Sequence, residues 1–239
     1  MIDAHLKKLR QRTEISDDEE QAIRDAVVEI RSVPAGKVLI RSGEELSQSV
    51  MLLEGWMARV KDLEGGGRQV TELQLAGDFV DSHGFTLKRL DHDIVALSNC
   101  TIGIVPHERL REITERMPRL ARIFWFMNNV DAAITRELAL SLGQRSAISR
   151  MAHLFCEIHC RLEVIGGTMN DGYDLPLTQR ELSECLGLTV VHVNRTLQEL
   201  RRRGLVELEN RKLTIRDRPR LERLAEFDPA YLYLDHHDF

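Results

Sequence analysis

The residues best suited to chemistry lie in the segment 177–204, where two short runs have helical spacing. Thr178 and Glu181 form a T-x-x-E capping box, which predicts that a helix begins there. Gly187 can adopt the left-handed conformation that ends this helix, and Thr189 can cap the next one. Two short helices joined by a glycine turn are typical of a helix-turn-helix.

The second of these helices would have one buried and one exposed face. Val193, Leu197 and Leu200 follow one another at a spacing of four and three residues and form the buried face. On the opposite face, arginine can donate two hydrogen bonds to guanine, valine can contact a thymine methyl group, and the helix N-terminus favours phosphate. We therefore predict DNA contacts at the two helix starts and on this exposed face. The predicted contact residues are Thr178, Gln179, Arg180, Thr189, Val190, Val191, His192, Asn194, Arg195, Gln198 and Arg201.

A β-hairpin is predicted directly after the second helix. The segments 205–208 and 212–215 flank Glu209-Asn-Arg211, which favours a turn. A hairpin in this position makes the unit a winged helix. The alternative is that the two amphipathic helices have no role in DNA binding.

Charge is distributed unevenly along the 239 residues. The whole chain has a formal charge of −5, but residues 175–218 contain nine basic and six acidic residues, so this segment is +3 and the remainder −8. Of the 33 basic residues, 27 are arginine, the side chain suited to bidentate contacts with guanine and phosphate. The overall acidity excludes coat-like DNA binding, whereas the local excess is consistent with a small DNA-binding module. The alternative is an arginine-rich solvated surface.

Two further groups of residues suggest other chemistry. His153, Cys156 and Cys160 lie on one helix at i, i+3 and i+7, a spacing that could bind Zn²⁺ or respond to oxidation. The stretch 78–93 is rich in Asp and His and could form a metal-hydrolase site. The alternatives are a buried helix face and a solvated loop, and no second catalytic motif accompanies the stretch. We predict that the chain is not an enzyme and has neither a bound metal nor another cofactor.

The elements that precede this module change from strands to helices. Residues 16–31 are predicted to form a short helix with Ser16 as its N-cap. Residues 37–106 contain short strands separated by glycine-rich turns, which predicts an antiparallel barrel or roll. A second short helix is expected from Ala147 to Leu162.

A long helix is predicted to begin at Pro118, because proline is tolerated in the first helical turn. Apolar residues then recur at alternating spacings of three and four, close to the pattern of a coiled coil. We predict that they pair with a second copy of the chain; the alternative is packing against the chain's own barrel. The predicted dimer contacts are Leu120, Ile123, Met127, Val130, Ile134 and Leu138.

This order of modules resembles the Crp/Fnr superfamily of bacterial transcription regulators. The resemblance covers nearly the whole chain, and its most specific stretches are Gly77-Asp78-Phe79 with Gly84, and the segment 177–206. It implies an α+β fold with an N-terminal antiparallel β-roll of the cyclic-nucleotide-binding type (1–107), a long dimerisation helix (108–144) and a C-terminal winged helix-turn-helix domain (145–239). It also implies a homodimer that binds a palindromic site in double-stranded DNA and contacts RNA polymerase.

The resemblance places the family's recognition arginine at Arg195. At the family's other two base-reading positions, the catabolite activator protein has Arg and Glu, whereas this chain has Val190 and Val191. We therefore expect a different half-site.

The resemblance also locates the family's effector pocket, which is degenerate in this chain. Cyclic-nucleotide-binding members hold the ribose with a Glu and the phosphate with an Arg-Ser pair, but here those positions are Ser82, Asp91 and His92. An aspartate repels the cyclic phosphate, so we expect no tight binding of cAMP. The candidate pocket residues are Asp78, Phe79, Ser82, Gly84, Asp91 and His92. Since no cysteine precedes Cys100, the N-terminal iron–sulfur cluster of oxygen-sensing members is excluded.

Localisation follows from what the composition lacks. No apolar run approaches the ~18 residues of a membrane span, and the first twelve residues are charged. The four cysteines are too few and too scattered for a disulfide scaffold. We therefore expect a cytoplasmic protein with reduced thiols and no membrane partner.

Overall fold

The computed structural model describes residues 2–239 and begins with two short helices, α1 (Asp3–Arg10) and α2 (Asp17–Ala26). As predicted, Ser16 caps α2, and its hydroxyl accepts a hydrogen bond from the Glu19 backbone in a complete capping box. The expectation that this helix continues to residue 31 is wrong. Val27 is extended, and the residues that follow it form the first strand of the roll.

Seven strands and one helical turn, α3 (Gly84–Leu87), build the N-terminal roll. The strands are β1 (Glu29–Val33), β2 (Val38–Ile40), β3 (Gln48–Glu54), β4 (Trp56–Asp62), β5 (Arg68–Leu75), β6 (Asp93–Ala96) and β7 (Cys100–Pro106). They form two antiparallel sheets, ordered β1-β7-β3 and β2-β6-β4-β5, whose apolar side chains meet between them. The predicted antiparallel roll is confirmed.

Three helices lead from the roll to the C-terminal domain: α4 (His107–Arg116), α5 (Pro118–Gln144) and α6 (Ala147–Ile165). Pro118 occupies the first helical position of α5, as predicted. Ser146 caps α6, whose residues are mostly buried between the roll and the C-terminal domain.

The C-terminal domain contains a helix-turn-helix followed by a small sheet. Its elements are β8 (Gly172–Asp174), α7 (Gln179–Leu186), α8 (Val190–Arg202), β9 (Val206–Glu209), β10 (Lys212–Ile215) and α9 (Arg218–Ala225). Strand β8 pairs with β10 as a third strand that the sequence did not predict. The C-terminal tail (residues 226–239) contains a 3-10 helix at Pro229–Leu232. Within residues 2–239, the helices lack the combined length and apolar character needed to span a membrane.

Candidate nucleic-acid interface

The starts of α7 and α8 are held by local hydrogen bonds that the sequence predicted. The Thr178 hydroxyl accepts from the Glu181 amide at 3.2 Å, and the Glu181 carboxylate accepts from the Thr178 amide at 2.6 Å. Gly187 ends α7 in the left-handed region, at φ +59°. The Thr189 hydroxyl then accepts from the His192 amide at 3.2 Å, which satisfies one free amide at the start of α8.

Helix α8 separates the predicted core face from the predicted contact face. Val193 and Leu200 are fully buried against α6 and α7, whereas Val191 is 70% exposed. The structure brings the exposed contact residues together on one side of the helix: Val190, Val191, His192, Asn194, Arg195 and Gln198. Within residues 2–239 the Arg195 guanidinium has no hydrogen bond or ion pair, so its donors remain available for a ligand.

The arginines around this face are less available. Arg180 pairs with Glu184 at 3.0 Å on α7. Arg202 and Arg203 both pair with Glu199, at 2.8 and 2.7 Å. These ion pairs are exposed, so they hold the side chains only weakly and phosphate could displace them.

Arg201 differs because it is engaged with backbone. Its guanidinium donates to the Leu208 carbonyl in β9 and is partly buried. The side chain predicted to contact DNA therefore connects α8 to the wing.

The wing itself is a tight hairpin. Strands β9 and β10 are joined by Asn210 and Arg211, both at positive φ, as a two-residue turn of the I′ type requires. The hairpin predicted after α8 is thus present, and β9 contacts α8.

Two known families match separate parts of this chain. Residues 30–117 match the cyclic nucleotide-binding domain, and residues 149–224 match the Crp-like helix-turn-helix domain. A probable transcriptional activator from Rhizobium leguminosarum bv. viciae is 32% identical over 197 residues, which cover 81% of this chain and 80% of that protein. The chain belongs to the Crp/Fnr family of bacterial transcription regulators.

Further comparisons agree with this assignment. The transcriptional activator FnrL from Cereibacter sphaeroides is 28% identical over 202 residues, 83% of this chain and 81% of that protein. The structure of FixK2 from Bradyrhizobium japonicum matches with a TM-score of 0.74 and 23% identity, covering 82% of this chain and 96% of that one. This Crp/Fnr regulator therefore shares the fold of FixK2, which confirms the predicted order of roll, long helix and helix-turn-helix.

The residues of α5 predicted at a dimer interface lie largely inside this Crp/Fnr chain. Four of the six are buried, namely Leu120, Ile123, Val130 and Ile134. The other two, Met127 and Leu138, are half-buried. Leu120 packs with α1 and α2, and Ile134 packs beside α6 and the C-terminal tail. As contacts between subunits these six residues stay a prediction.

Three of the predicted effector residues already have partners of their own. The Ser82 hydroxyl donates to the Asn128 side chain on α5 at 2.7 Å. Asp91 accepts from Lys61 at 2.7 Å and lies 2.9 Å from His92 Nδ1. Hydrogen bonds from Lys61 and His92 hold the pKa of Asp91 well below its usual range, so this position carries a negative charge.

The other three pocket candidates shape the roll. Phe79 packs edge-on against His5 and Phe124. Gly84 is approached so closely by Leu46 that a Cβ would lie 2.8 Å from its methyl carbon. Asp78 faces the junction with the C-terminal domain, where Lys8 and Arg161 bind its two carboxylate oxygens at 2.5 and 3.2 Å. Sequence reasoning missed this role, because nothing local to Asp78 indicates those partners.

The structure does not support the redox and metal alternatives. Cys156 and Cys160 are buried, and burial raises the pKa of the Cys160 thiol to about 11, which disfavours the reactive thiolate. His153 lies instead in an aromatic cluster with Phe227 and Tyr231. Within residues 2–239, no three His, Cys, Asp or Glu side chains are placed to hold a metal ion.

Proposed function

We propose that this regulator binds a palindromic DNA site as a homodimer, with one α8 in the major groove of each half-site. The exposed face of α8, with the unpaired guanidinium of Arg195, carries the proposal. A free arginine beside two exposed valines, Val190 and Val191, suits a guanine next to bases that present methyl groups. The two recognition helices would lie about 34 Å apart, so that the half-sites are one helical turn apart.

Selection of binding sites from random duplexes, followed by gel shift, tests this function. Arg195→Ala should weaken binding by about 1–3 kcal/mol and relax the preference at one base of each half-site. Arg202→Ala is the matched control, because Arg202 lies on the same helix but pairs with Glu199. The control should change affinity equally on all sequences, if at all. Failure to enrich any sequence would refute the function.

The dimer face we propose is the exposed side of α5 rather than the buried apolar stripe. Its residues repeat at spacings of four and three: Ala121, Trp125, Asn128, Ala132, Thr135 and Ala139. Trp125 is 70% exposed, although a tryptophan is costly to leave in water. Five of these six residues also line an apolar cavity of about 720 Å³ between the roll and α5. An α5 helix from a second subunit, packed against these six residues, would cover both Trp125 and the cavity.

Sedimentation measures the subunit association directly. Trp125→Glu should convert the dimer to a monomer, because it would bury an unpaired charge in the interface. Leu63→Glu, on the exposed hairpin of the roll, is the control and should leave the dimer intact. If Trp125→Glu remains a dimer and Met127→Glu dissociates, the dimer interface is instead the apolar stripe predicted from the sequence, which contains Met127.

We further propose that cAMP is not the signal. At the position that the resemblance aligns with the family's phosphate-binding arginine, this chain has the anionic Asp91. In the cavity between the roll and α5, the guanidinium of Arg59 is already bound by Glu72 at 2.6 Å and Asp131 at 3.0 Å. A cyclic phosphate would therefore meet an acid rather than a free cation. Calorimetry with cAMP should show no binding at micromolar concentrations, and a micromolar or tighter Kd would overturn the proposal.

Contact with RNA polymerase stays an expectation from the family.

A further inference from the structure

The two ends of the chain meet at the junction between the roll and the DNA-binding domain. Helix α1 lies on the roll, where Lys8 binds Asp78 at 2.5 Å and His5 Nδ1 lies 2.8 Å from the Gly77 carbonyl. The approach is close, since a Cβ on Gly77 would lie 2.7 Å from the Ala4 backbone. Helix α1 is thereby anchored to the turn that contains Gly77 and Asp78.

The same aspartate connects the roll to the DNA-binding domain. Arg161 of α6 donates to Asp78 at 3.2 Å and to the Leu73 carbonyl at 2.7 Å. Its other terminal nitrogen donates to Glu157 at 3.1 Å. The side chain of Arg161 is only 8% exposed, so these contacts must satisfy its charge.

The C-terminal tail connects α6 back to the N-terminal segment. Tyr231 donates to Glu157 at 2.8 Å, and the next residue, Leu232, accepts from Arg12 at 3.0 Å. The His237 amide in turn donates to the Arg12 carbonyl at 2.6 Å. Since Arg12 also donates to the Lys8 carbonyl, a closed ring of contacts passes through α1, the roll, α6 and the tail.

Both terminal segments lie outside the parts of the chain that match the two families, residues 30–117 and 149–224. They leave the recognition face uncovered, since Val191 and Arg195 are exposed. We propose that α1 and the C-terminal tail (residues 226–239) form a clasp that fixes the orientation of the DNA-binding domain on the roll. Domains joined by a small interface otherwise move relative to each other.

The effect of the clasp on DNA binding rests on the proposed function, whereas the contacts that form the clasp do not. In a homodimer, the orientation of each DNA-binding domain sets the separation of the two α8 helices, and a palindromic site tolerates only one separation. Opening the clasp would take Lys8 away from the buried carboxylate of Asp78, and Tyr231 away from Glu157, which pairs with Arg161. The closed arrangement is therefore strongly favoured over partly open ones.

The test compares two full-length variants by amide hydrogen exchange and DNA binding. Arg12→Gln/Tyr231→Phe removes the two side-chain hydrogen bonds by which the tail joins the ring, whereas the bonds from the His237 amide to Arg12 and from Gln11 to Leu234 remain. Tyr233→Phe is the matched control, because Tyr233 lies on the same tail, is 43% exposed, and has a hydroxyl without a hydrogen bond inside residues 2–239. The exchange of α1 and α6 amides reports the clasp whether or not DNA is bound.

We expect the double variant to exchange the α1 amides at least tenfold faster, with α7 and α8 unchanged, and to bind the selected duplex about tenfold more weakly. The control should match the wild type in both measurements. Unchanged exchange in α1 and α6 would overturn the clasp, as would faster exchange throughout the chain, because that would indicate general destabilisation. If the wild type itself selects no DNA, the proposed function fails, and the exchange data still decide the clasp.

Discussion

Asp78 of the roll lies 3.2 Å from Arg161 of the DNA-binding domain and 2.5 Å from Lys8 of the N-terminal helix. Burial disfavours the charged carboxylate, but the two cations outweigh it and lower the pKa of Asp78 to about 2. An aspartate of the effector-pocket motif thus serves as the joint between domains. Asp78 belongs to a stretch by which the sequence resembles the family, and in this chain it also stabilises the contact between domains, which its sequence neighbours do not reveal.

Replacing this aspartate should destabilise the whole chain. Asp78→Asn leaves two buried cations facing a neutral amide, which should lower the free energy of unfolding by about 3–5 kcal/mol. The measurement is urea unfolding at neutral pH. Asp62→Asn is the control, because Asp62 makes an equally close pair with Arg68 on the surface, and a change of about 0–1 kcal/mol is expected there. Equal losses in the two variants would show that the junction adds nothing.

His153 should make the stability depend on pH. Burial, with the charge of Arg145 adding to it, lowers the pKa of His153 to about 3 from its usual 6.5, although the Glu137 carboxylate lies 3.3 Å from Nε2 and favours the charged imidazole. As the pH falls below 6.5, the unfolded chain binds a proton that the folded chain does not bind until about pH 3. The stabilisation is therefore complete above pH 6.5 and is lost as the pH falls toward 3.

Removing the imidazole isolates this contribution from that of the other titrating groups. His153→Gln should reduce the slope of unfolding free energy against pH by up to about 1.4 kcal/mol per unit between pH 6 and 4. Phe227→Leu disturbs the same aromatic cluster without removing an imidazole or a hydrogen bond to a carboxylate, so its stability loss should be constant over that range. A His153→Gln slope identical to the wild type would contradict the assignment.

Two glycines should respond in opposite directions to alanine. Gly187 has φ +59°, and a Cβ there would lie 3.0 Å from Leu142, so Gly187→Ala should cost about 1–2 kcal/mol and weaken DNA binding by misplacing α8. Gly143 lies in the last turn of α5 with nothing within 4 Å of its Cβ position. Gly143→Ala should therefore stabilise the protein by about 0.5–1 kcal/mol. Thermal unfolding should show a lower melting temperature for Gly187→Ala and a higher one for Gly143→Ala.

Local chemistry explains what could be predicted from the sequence. Thr178, Glu181 and Gly187 act within one turn of where they lie in the chain, so the helix-turn-helix was predictable from them. The end of α2 was not, because Val28 and strand β1 pair with β7, about 70 positions away. Which side of α5 faces inward likewise depends on distant residues, because apolar side chains of α1 and the C-terminal tail pack against it.

Long-range contacts also account for what was missed at the junction. Lys8 and Tyr231 are 223 positions apart, and neither has a neighbour in sequence that indicates its partner. Their roles required the three-dimensional arrangement of four separate chain segments. The face of α8 that we propose contacts DNA could be predicted from the sequence pattern because its members lie on one helix.

Arg201 should affect the wing rather than base recognition. Its guanidinium donates to the Leu208 carbonyl, so Arg201→Ala frees β9 from α8 and should cost about 1 kcal/mol of stability. Exchange of the amides in β9 and β10 should become faster, and DNA affinity should fall equally on all selected sequences. Arg202→Ala, one residue further along the same helix, should leave wing exchange unchanged. If Arg201→Ala instead changes the preferred base and leaves the wing protected, Arg201 reads DNA directly, as the sequence suggested.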